Sequence, residues 1–529
     1  MRRGYDLSDL GYLYRGPASV KTREIKFGDW TIVDVPIDVA DSSVIDTVSR
    51  TIDNICAIEL PTSFICNLRC KYCYIEDPRM KSKKNDPQIF INLLRRAFEL
   101  FPKFKQNSRE VYVTPWGAEP LCDLDTLEAV YEYCLDNLGE NFRTSTSTNA
   151  TIWNPRVEKI LEKLIKRKCL QDLQISLDGP KHVQDKYRPY LGGKGSFDDV
   201  KSFTLHFYDL CSKLKVETKL HHFCSTIHLN DDNFVEAWVA AAEFFTEPNT
   251  WHFQPNMPMR VSALDFDNEE NYQKFIDAQK GTHEVIKKRV SQGIFCADFY
   301  TSKLFLEKSC RSKNAFSYCS ALNTQIGLDV DGSIYMCHGP ITSPWQKPYM
   351  WLGNILEGVI SYQKLVRNLS WMYNTYSRAK CTTCPFYFYA LGNVCWSCPT
   401  HNLAATGEPT TDFIQKCGVY CECFKYWYAN ACMVCKGEVI ERVPKNEWFT
   451  EGIDYDSLPS LPEEQKVDPI KRSSGHFDWD YDGLLMHALR RVMGFDDYKS
   501  NRNFHINGRW WKFFNFFDVA TKEKSREVE

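Results

Sequence analysis

The sequence predicts an α/β fold in which a parallel sheet curls wholly or partly into a barrel, followed by a loop-rich, cysteine-rich region. Short apolar runs alternate with helical stretches from about residue 56 to residue 230, which is the pattern of βαβ units. Twelve of the 22 cysteines lie between Cys310 and Cys435, where the connecting loops are rich in Gly, Pro and polar residues. A chain of 529 residues is too long for one compact core, so we expect two or three domains.

The predicted elements follow one another in a regular order. An N-terminal preface carries one strand-like segment, "DWTIVDVPI". In parallel α/β folds the chemistry lies at the C-terminal ends of the strands, so the loops at those ends are the first candidates for a site. The predicted strands are "AIELPTSFIC", "REVYVTPWG", "FRTSTSTNA", "LQDLQISLDG" and "VETKLHHFCSTI", and the helices between them include "PQIFINLLRRAFELF", "DTLEAVYEYCLDNL" and "RVEKILEKLIKR".

Composition narrows the class of protein. The hydrophobic content of 43% and the charged content of 25% are ordinary for a soluble globular chain, and a net charge of -3 gives no reason to expect a nucleic-acid or membrane partner. The N-terminal residues "MRRGYDLSDLGYLYRG" contain no apolar run of the kind found in secretory signals, and no stretch reaches the length of a membrane span. We therefore expect a cytoplasmic protein whose cysteines are metal ligands or buried apolar side chains rather than disulfides.

Cys66, Cys70 and Cys73 follow the first predicted strand of the alternating region at spacings of four and three. A closed structural metal site uses four ligands. Three thiolates suit an iron-sulfur cluster with one iron left open, and a zinc site completed by a distant fourth residue is the alternative. Seven isolated cysteines are expected to be buried apolar filler: Cys56, Cys122, Cys134, Cys169, Cys211, Cys224 and Cys296.

The segment "CNLRCKYC" resembles the C-x-x-x-C-x-x-C loop of radical S-adenosylmethionine (SAM) enzymes. The resemblance implies a partial (β/α)6 TIM-type barrel of the radical SAM kind. It also implies that Cys66, Cys70 and Cys73 hold a 4Fe-4S cluster whose open iron chelates SAM, with Tyr72 beside the adenine. Reductive cleavage of SAM would then give a 5'-deoxyadenosyl radical, which abstracts hydrogen from an unactivated carbon of the substrate.

Further segments resemble the SAM-binding motifs of the same family. "PWGAEPL" is similar to the G-G-E-P motif that helps to hold the SAM amine, with alanine in place of the second glycine. "TSTSTNATIW" resembles the strand that faces the cofactor, and "LQISLDGPKHVQDKYRPY" resembles the S-x-D-G and D-x-x-R segments of one subgroup. The cofactor-binding residues implied in this way are Gly117, Ala118, Glu119, Pro120, Thr148, Asn149, Ser176 and Arg188.

The same subgroup carries a C-terminal SPASM-type domain with two auxiliary 4Fe-4S clusters. "CSALNTQIGLDVDGSIYMC" resembles the first part of its signature, although later spacings depart from it. Ten residues separate Cys384 from Cys395 where the family has about five, and two separate Cys395 from Cys398 where it has three. The resemblance assigns Cys310, Cys319, Cys337 and Cys398 to one cluster, and Cys381, Cys384, Cys395 and Cys417 to the other.

Zinc-ribbon-like pairs are the alternative for these eight cysteines. Four cysteines beyond the signature could bind a separate metal, substitute for a cluster ligand or stay free: Cys421, Cys423, Cys432 and Cys435. The expected domains are an N-terminal extension (1–55), a radical SAM partial barrel (56–300), a SPASM-like domain (301–436) and a C-terminal extension (437–529). In that last extension, an amphipathic helix and an aromatic-rich stretch could pack on the barrel or form a docking surface.

Enzymes with this pairing of domains mostly modify peptides or proteins, so the resemblance implies a peptide substrate and a flavodoxin or ferredoxin-type electron donor. Sulfatase maturases place an aspartate base at the position that His338 occupies here, which counts against sulfatase maturation specifically. His338 is nevertheless the candidate catalytic base, because histidine can act as a base near neutral pH. The alternatives are redox chemistry on a small molecule such as an aminosugar, and a catalytically dead cysteine-rich scaffold.

Overall fold

The structure is a computed structural model. Its strands and helices alternate from residue 57 to residue 261, and the predicted α/β class with a parallel sheet is confirmed. Within the described ranges, no helix combines the length and the apolar content that crossing a bilayer requires. The structure describes residues 21–75, 84–105, 110–216, 220–254, 256–261, 269–294, 296–298 and 320–374, and the single residues 400, 423, 426, 427, 429 and 430.

One large sheet organises the described residues. Its strand order is β1-β2-β14-β13-β12-β11-β3-β4-β5-β6-β7-β9, and β8 pairs with β10 separately. The strands are β1 (Thr22–Phe27), β2 (Trp30–Pro36), β3 (Ala57–Ser63), β4 (Val111–Gly117), β5 (Phe142–Thr148), β6 (Leu170–Ser176), β7 (His221–Ile227), β8 (Asn256–Met257), β9 (Met259–Val261), β10 (Ala297–Asp298), β11 (Gln325–Leu328), β12 (Ser333–Tyr335), β13 (Trp351–Asn354) and β14 (Val359–Ser361).

All neighbours from β11 through β3, β4, β5, β6 and β7 to β9 are parallel. Six of these strands form the partial barrel: β3, β4, β5, β6, β7 and β9. At the other end of the sheet, β2 pairs in parallel with β14, and the Ser361 hydroxyl donates to the Asp34 carboxylate at 2.7 Å. The N-terminal strands therefore belong to the same sheet as residues 325–361.

Helices connect the strands and begin at recognisable capping residues. The Asp86 carboxylate accepts the Gln88 N–H, and the Asn154 side chain accepts the N–H groups of Arg156 and Val157. Proline follows each of these caps, where its missing N–H costs nothing. The helices are α1 (Asp41–Asn54), α2 (Pro87–Leu100), α3 (Pro102–Lys105), α4 (Leu124–Leu138), α5 (Pro155–Lys166), α6 (Lys181–Tyr187), α7 (Phe197–Lys213), α8 (Phe234–Phe245), α9 (Glu269–Ser291), α10 (Lys347–Met350) and α11 (Tyr362–Asn374).

The two faces of the barrel sheet differ in polarity. On the convex face, Leu173 and Ile175 of β6 are buried in the apolar core that also contains the helices. Successive strand residues point to opposite faces, so Asp172, Gln174 and Ser176 share the concave face. Because aligned residues of parallel neighbours share a face, Ser147 of β5 lies there beside Gln174, and His222 and Cys224 of β7 lie there beside Gln174 and Ser176.

Asp172 and His222 confirm this assignment, since the Asp172 carboxylate lies 2.8 Å from Nδ1 of His222. In closed barrels the interior is packed with bulky branched side chains. The concave face of β5, β6 and β7 is polar instead, which suits a surface that receives a polar molecule rather than one that forms a core.

Candidate functional site

The three clustered cysteines lie in the loop that follows β3, at the C-terminal end of that strand. Cys66 and Cys70 are half-buried and Cys73 is exposed. Backbone hydrogen bonds pair this loop with residues 187–191, so a segment more than a hundred residues away fixes its position. The contacts are Arg69 N–H to Pro189 C=O (2.8 Å), Lys71 N–H to Tyr187 C=O (3.0 Å), Leu191 N–H to Asn67 C=O (3.1 Å) and an antiparallel bridge between Leu68 and Tyr190.

The three thiols fit an iron-sulfur cluster in their chemistry. Burial, reinforced by the Glu119 carboxylate, raises the pKa of the Cys66 thiol to about 12, and burial also raises the pKa of Cys70. Burial therefore favours the protonated form of Cys66 and Cys70, and a bound cationic group would stabilise the thiolates that act as ligands. Among the described residues, no three Cys, His, Asp or Glu side chains converge in the way that a single metal ion requires.

Gly117 and Ala118 behave differently in the turn after β4. Gly117 has a φ of +139°, and a Cβ at this position would lie 2.2 Å from the Ser63 carbonyl oxygen. Only glycine fits such a close backbone approach. Ala118 does not adopt a positive φ, and its N–H donates to the same Ser63 oxygen at 2.9 Å. The alanine at the second glycine of the motif is therefore accommodated without strain.

Glu119 joins this turn to the end of β5. Its buried carboxylate accepts the Thr148 hydroxyl at 2.8 Å, the Asn149 N–H at 2.6 Å and the Leu121 N–H at 3.0 Å. Burial raises the pKa of Glu119, and these donors oppose the rise without cancelling it. The Asn149 side-chain amide in turn contacts the Cys66 sulfur at 3.8 Å. The structure thus brings the G-A-E-P segment, the Thr148–Asn149 pair and the first cysteine together.

Tyr72, Asp178 and Arg188 form a second group beside the cysteine loop. The Tyr72 hydroxyl donates to the Asp178 carboxylate at 2.5 Å, and Arg188 donates to the Tyr72 oxygen at 2.8 Å. Desolvation by itself would lower the pKa of Arg188, but the surrounding anionic and phenolic groups raise it, so the guanidinium stays charged. Ser176, the last residue of β6, is half-buried, and Cys224 is its Cα partner in β7.

His338 lies shortly after β12 and contacts residues of β3 and β4. Its ring stands 5.3 Å from the Trp116 ring, and its Nδ1 atom lies 2.9 Å from both carboxylate oxygens of Glu59. Desolvation disfavours the imidazolium, yet the Glu59 carboxylate outweighs it and raises the pKa of His338. Burial would raise the pKa of Glu59, but the attraction and hydrogen bonds of His338 lower it.

Most of the predicted auxiliary-cluster ligands lie outside the described residues. Cys337 is described and half-buried, directly before His338. Cys423 is fully buried, and nearby Trp427 donates to the Gln279 side chain of α9 at 2.8 Å. The predicted ligands outside the described residues are Cys310, Cys319, Cys381, Cys384, Cys395, Cys398, Cys417, Cys421, Cys432 and Cys435.

The isolated cysteines divide into two groups. The expectation of buried filler is confirmed for Cys134, Cys169, Cys211 and Cys296. Cys56 is half-buried but packs against the apolar core, whereas the expectation is wrong for Cys122 and Cys224, which are half-buried and do not belong to that core. Cys224 lies on the polar concave face because its neighbours Phe223 and Ser225 turn to the opposite side.

Sequence reasoning also missed two acidic residues. Glu59 could have been found as a single carboxylate inside the apolar run "AIEL", which indicates either a buried partner or a cavity. Asp178 stands inside the S-x-D-G segment, shortly before Arg188, but its contact with Tyr72 joins two residues that are 106 positions apart, which no local pattern predicts.

Comparisons with known proteins bear on this site. Residues 60–228 match the sequence model of the Radical SAM superfamily. The chain is 33% identical to an uncharacterized protein of Methanocaldococcus jannaschii over 27% of this chain and 47% of that protein. It is 23% identical to the radical SAM cyclopropyl synthase TigE of Paramaledivibacter caminithermalis, over 61% of this chain and 64% of that protein. The chain thus spans less than two thirds of either relative.

Two further similarities concern sulfatase-maturating proteins. The cysteine-type anaerobic sulfatase-maturating enzyme of Clostridium novyi is 26% identical over 52% of this chain and 71% of that protein. The solved structure of native anSMEcpe with bound AdoMet superimposes with a TM-score of 0.51 at 18% identity, covering 71% of this chain and 98% of the other, which shows a shared fold. Residues 60–228 thus carry the sequence pattern of the Radical SAM superfamily, a family whose members use SAM and a 4Fe-4S cluster. The chain is similar to a sulfatase-maturating enzyme in sequence and to anSMEcpe in fold.

Proposed function

We propose that this enzyme uses radical SAM chemistry to carry out an oxidative post-translational modification of a peptide or protein. The observation that carries the proposal is the position of the Cys66, Cys70 and Cys73 loop at the C-terminal end of β3, in the same parallel sheet whose concave face is polar in β5, β6 and β7. The names of two relatives agree with it, since one is a sulfatase-maturating enzyme and the other a cyclopropyl synthase.

When bound, a 4Fe-4S cluster with SAM supplies a 5'-deoxyadenosyl radical that abstracts a hydrogen atom from the substrate. The chain's own residues hold and orient these groups. Cys66, Cys70 and Cys73 would be the cluster ligands. The proposed SAM-binding residues are Tyr72, Gly117, Ala118, Glu119, Pro120, Thr148, Asn149, Ser176 and Arg188.

The substrate would lie against the concave face, where polar side chains of β5, β6 and β7 can hydrogen-bond a peptide. His338 is the candidate general base on the β3 side, since Glu59 holds its Nδ1 atom and leaves Nε2 as the ring nitrogen for a substrate proton. Oxidation of the substrate radical releases one electron and one proton, so a base at this position would take the proton, while the electron would go to an auxiliary cluster.

The auxiliary clusters and partners belong to the same proposal. Four cysteines would hold one auxiliary 4Fe-4S cluster (Cys310, Cys319, Cys337 and Cys398) and four the other (Cys381, Cys384, Cys395 and Cys417). A further metal could bind Cys421, Cys423, Cys432 and Cys435. A flavodoxin or ferredoxin-type protein of the reducing cytoplasm would donate electrons. The proposed domains are residues 1–55, 56–300, 301–436 and 437–529, with the first and third sharing the large sheet through the pairing of β2 with β14.

A substrate search with the reconstituted enzyme tests the proposal. Extract of the source cells is separated by ultrafiltration, and each fraction is added anaerobically with SAM and dithionite. The proposal predicts that the macromolecular fraction stimulates 5'-deoxyadenosine formation and that protease treatment abolishes the stimulation. Stimulation by the small-molecule fraction alone would contradict a peptide substrate. A variant with alanine at Cys66, Cys70 and Cys73 is the negative control, because it lacks the proposed cluster ligands and should form no 5'-deoxyadenosine.

A further inference from the structure

We propose that Asp178 is a positioning residue for SAM binding, which it serves by holding Tyr72 and Arg188 in a fixed arrangement. The inference rests on the proposed function. The motif resemblance assigns cofactor roles to Tyr72 and Arg188 but none to Asp178. The structure adds Asp178 because its carboxylate is the group that both of these side chains share.

The Asp178 carboxylate is buried and contacts Tyr72, Thr226 and Arg188. Asp178 is 0% exposed, so it depends on the protein for its hydrogen bonds. One oxygen accepts the Tyr72 hydroxyl at 2.5 Å, and the other accepts the Thr226 N–H at 3.0 Å. The Arg188 guanidinium lies 3.8 Å away and itself donates to the Tyr72 oxygen. The three side chains therefore close a triangle of contacts.

Hydrogen bonds hold both the N–H and the carbonyl group of Asp178. Its N–H donates to the Gln184 side chain of α6 at 2.8 Å, and its carbonyl oxygen accepts the Ser225 hydroxyl of β7 at 2.9 Å. The Gln184 amide also donates to Ser196 at 3.1 Å, just before α7. A fully bonded buried network of this kind fixes one arrangement of its members. Asp178 thus ties β6, β7 and α6 to the cysteine loop.

In this arrangement Arg188 keeps one hydrogen-bond donor that no described residue uses. Its Nε atom is buried and, within the described part of the chain, has no hydrogen-bond partner. A buried guanidinium with an unused donor is suited to receive an anionic group such as the carboxylate of SAM. Asp178 and Tyr72 both contact the Nη1 atom of the guanidinium rather than Nε, so they hold the group in place and set the direction in which the unused Nε–H points. Without the Asp178 charge, Arg188 would lose its buried counter-ion.

The test compares Asp178→Asn with a matched change, Asp329→Asn, in the reconstituted full-length protein. Asp329 follows β11, is likewise buried and pairs with the Lys347 ammonium at 2.5 Å rather than with Tyr72 or Arg188. Iron content reports the cluster, and the change in its electron paramagnetic resonance signal on titration with SAM reports SAM affinity. We expect unchanged iron in both variants and SAM affinity about tenfold weaker or worse in Asp178→Asn only.

Wild-type SAM affinity in Asp178→Asn, or the same loss in Asp329→Asn, would overturn the inference. If Asp178→Asn does not fold, Tyr72→Phe tests the same arrangement, because it removes only the hydroxyl that contacts both Asp178 and Arg188. We expect this variant to bind SAM several-fold more weakly with its iron content unchanged. Unchanged SAM binding in Tyr72→Phe would then overturn the inference. A wild-type protein that assembles no cluster or binds no SAM refutes the proposed function itself, which separates that failure from a failure of Asp178.

Discussion

The carboxylate of Glu59 accepts the backbone N–H of His338 at 2.8 Å and lies 2.9 Å from its Nδ1 atom, although 279 residues separate the two in sequence. An ionised carboxylate can only accept, so Nδ1 carries the proton that faces it. This fixes both the backbone and the ring of His338. Nε2 is consequently the ring nitrogen that can exchange a proton with another molecule.

We expect His338→Gln to lower formation of the modified substrate by about a hundredfold, because loss of a positioned general base typically costs that much. Cleavage of SAM without substrate should persist. Quantifying 5'-deoxyadenosine and modified substrate in the same reaction checks this. His206→Gln is the control, since His206 is an exposed residue of α7 that stacks on Trp153 in the loop before α5. Equal loss of both products in His338→Gln would contradict a role in proton transfer alone.

Gly117→Ala should destabilise the protein by about 2 kcal/mol or more, because the added methyl group meets the Ser63 carbonyl at 2.2 Å in a backbone conformation that disfavours alanine. Ala118→Gly is the matched change at the next position and should cost less than about 1 kcal/mol. Urea unfolding of both variants measures the difference. Similar stabilities for the two would show that the tight contact between β3 and β4 is absent.

His252 should make stability depend on pH. It is 6% exposed and stacks on Phe244 at 3.6 Å, and burial lowers its pKa from 6.5 to about 4. Between these values the unfolded chain binds a proton that the folded protein does not, so stability falls as pH falls. The full difference corresponds to about 3 kcal/mol.

His252→Phe removes the titrating group and keeps an aromatic ring in the site. The free energy of unfolding, measured from pH 7 down to pH 4, should therefore decline less steeply in the variant than in the wild type. Parallel curves for the two proteins would mean that His252 is solvated in the folded state.

Local patterns in the sequence predicted much of the fold and part of the site. The alternation of strands and helices and the Cys66 loop depend on neighbouring residues, so the sequence displays them directly. The contacts of Glu59 with His338 and of Asp178 with Tyr72 join distant segments, and no local spacing encodes such pairs. The pairing of β2 with β14 is non-local in the same way, so the N-terminal strands could be predicted as strands but not placed in the sheet.

Iron counting combined with a 5'-deoxyadenosine assay tests the central claim most directly. The protein is reconstituted anaerobically with iron and sulfide and then given SAM and dithionite. Two variants accompany the wild type: one with alanine at Cys66, Cys70 and Cys73, and a control with alanine at the buried cysteines Cys134, Cys169 and Cys211.

We predict about twelve irons per chain in the wild type and the control, and about eight in the first variant, which should form no 5'-deoxyadenosine. About four irons in the wild type would contradict the auxiliary clusters. Undiminished 5'-deoxyadenosine in the variant that lacks Cys66, Cys70 and Cys73 would contradict the radical SAM site itself.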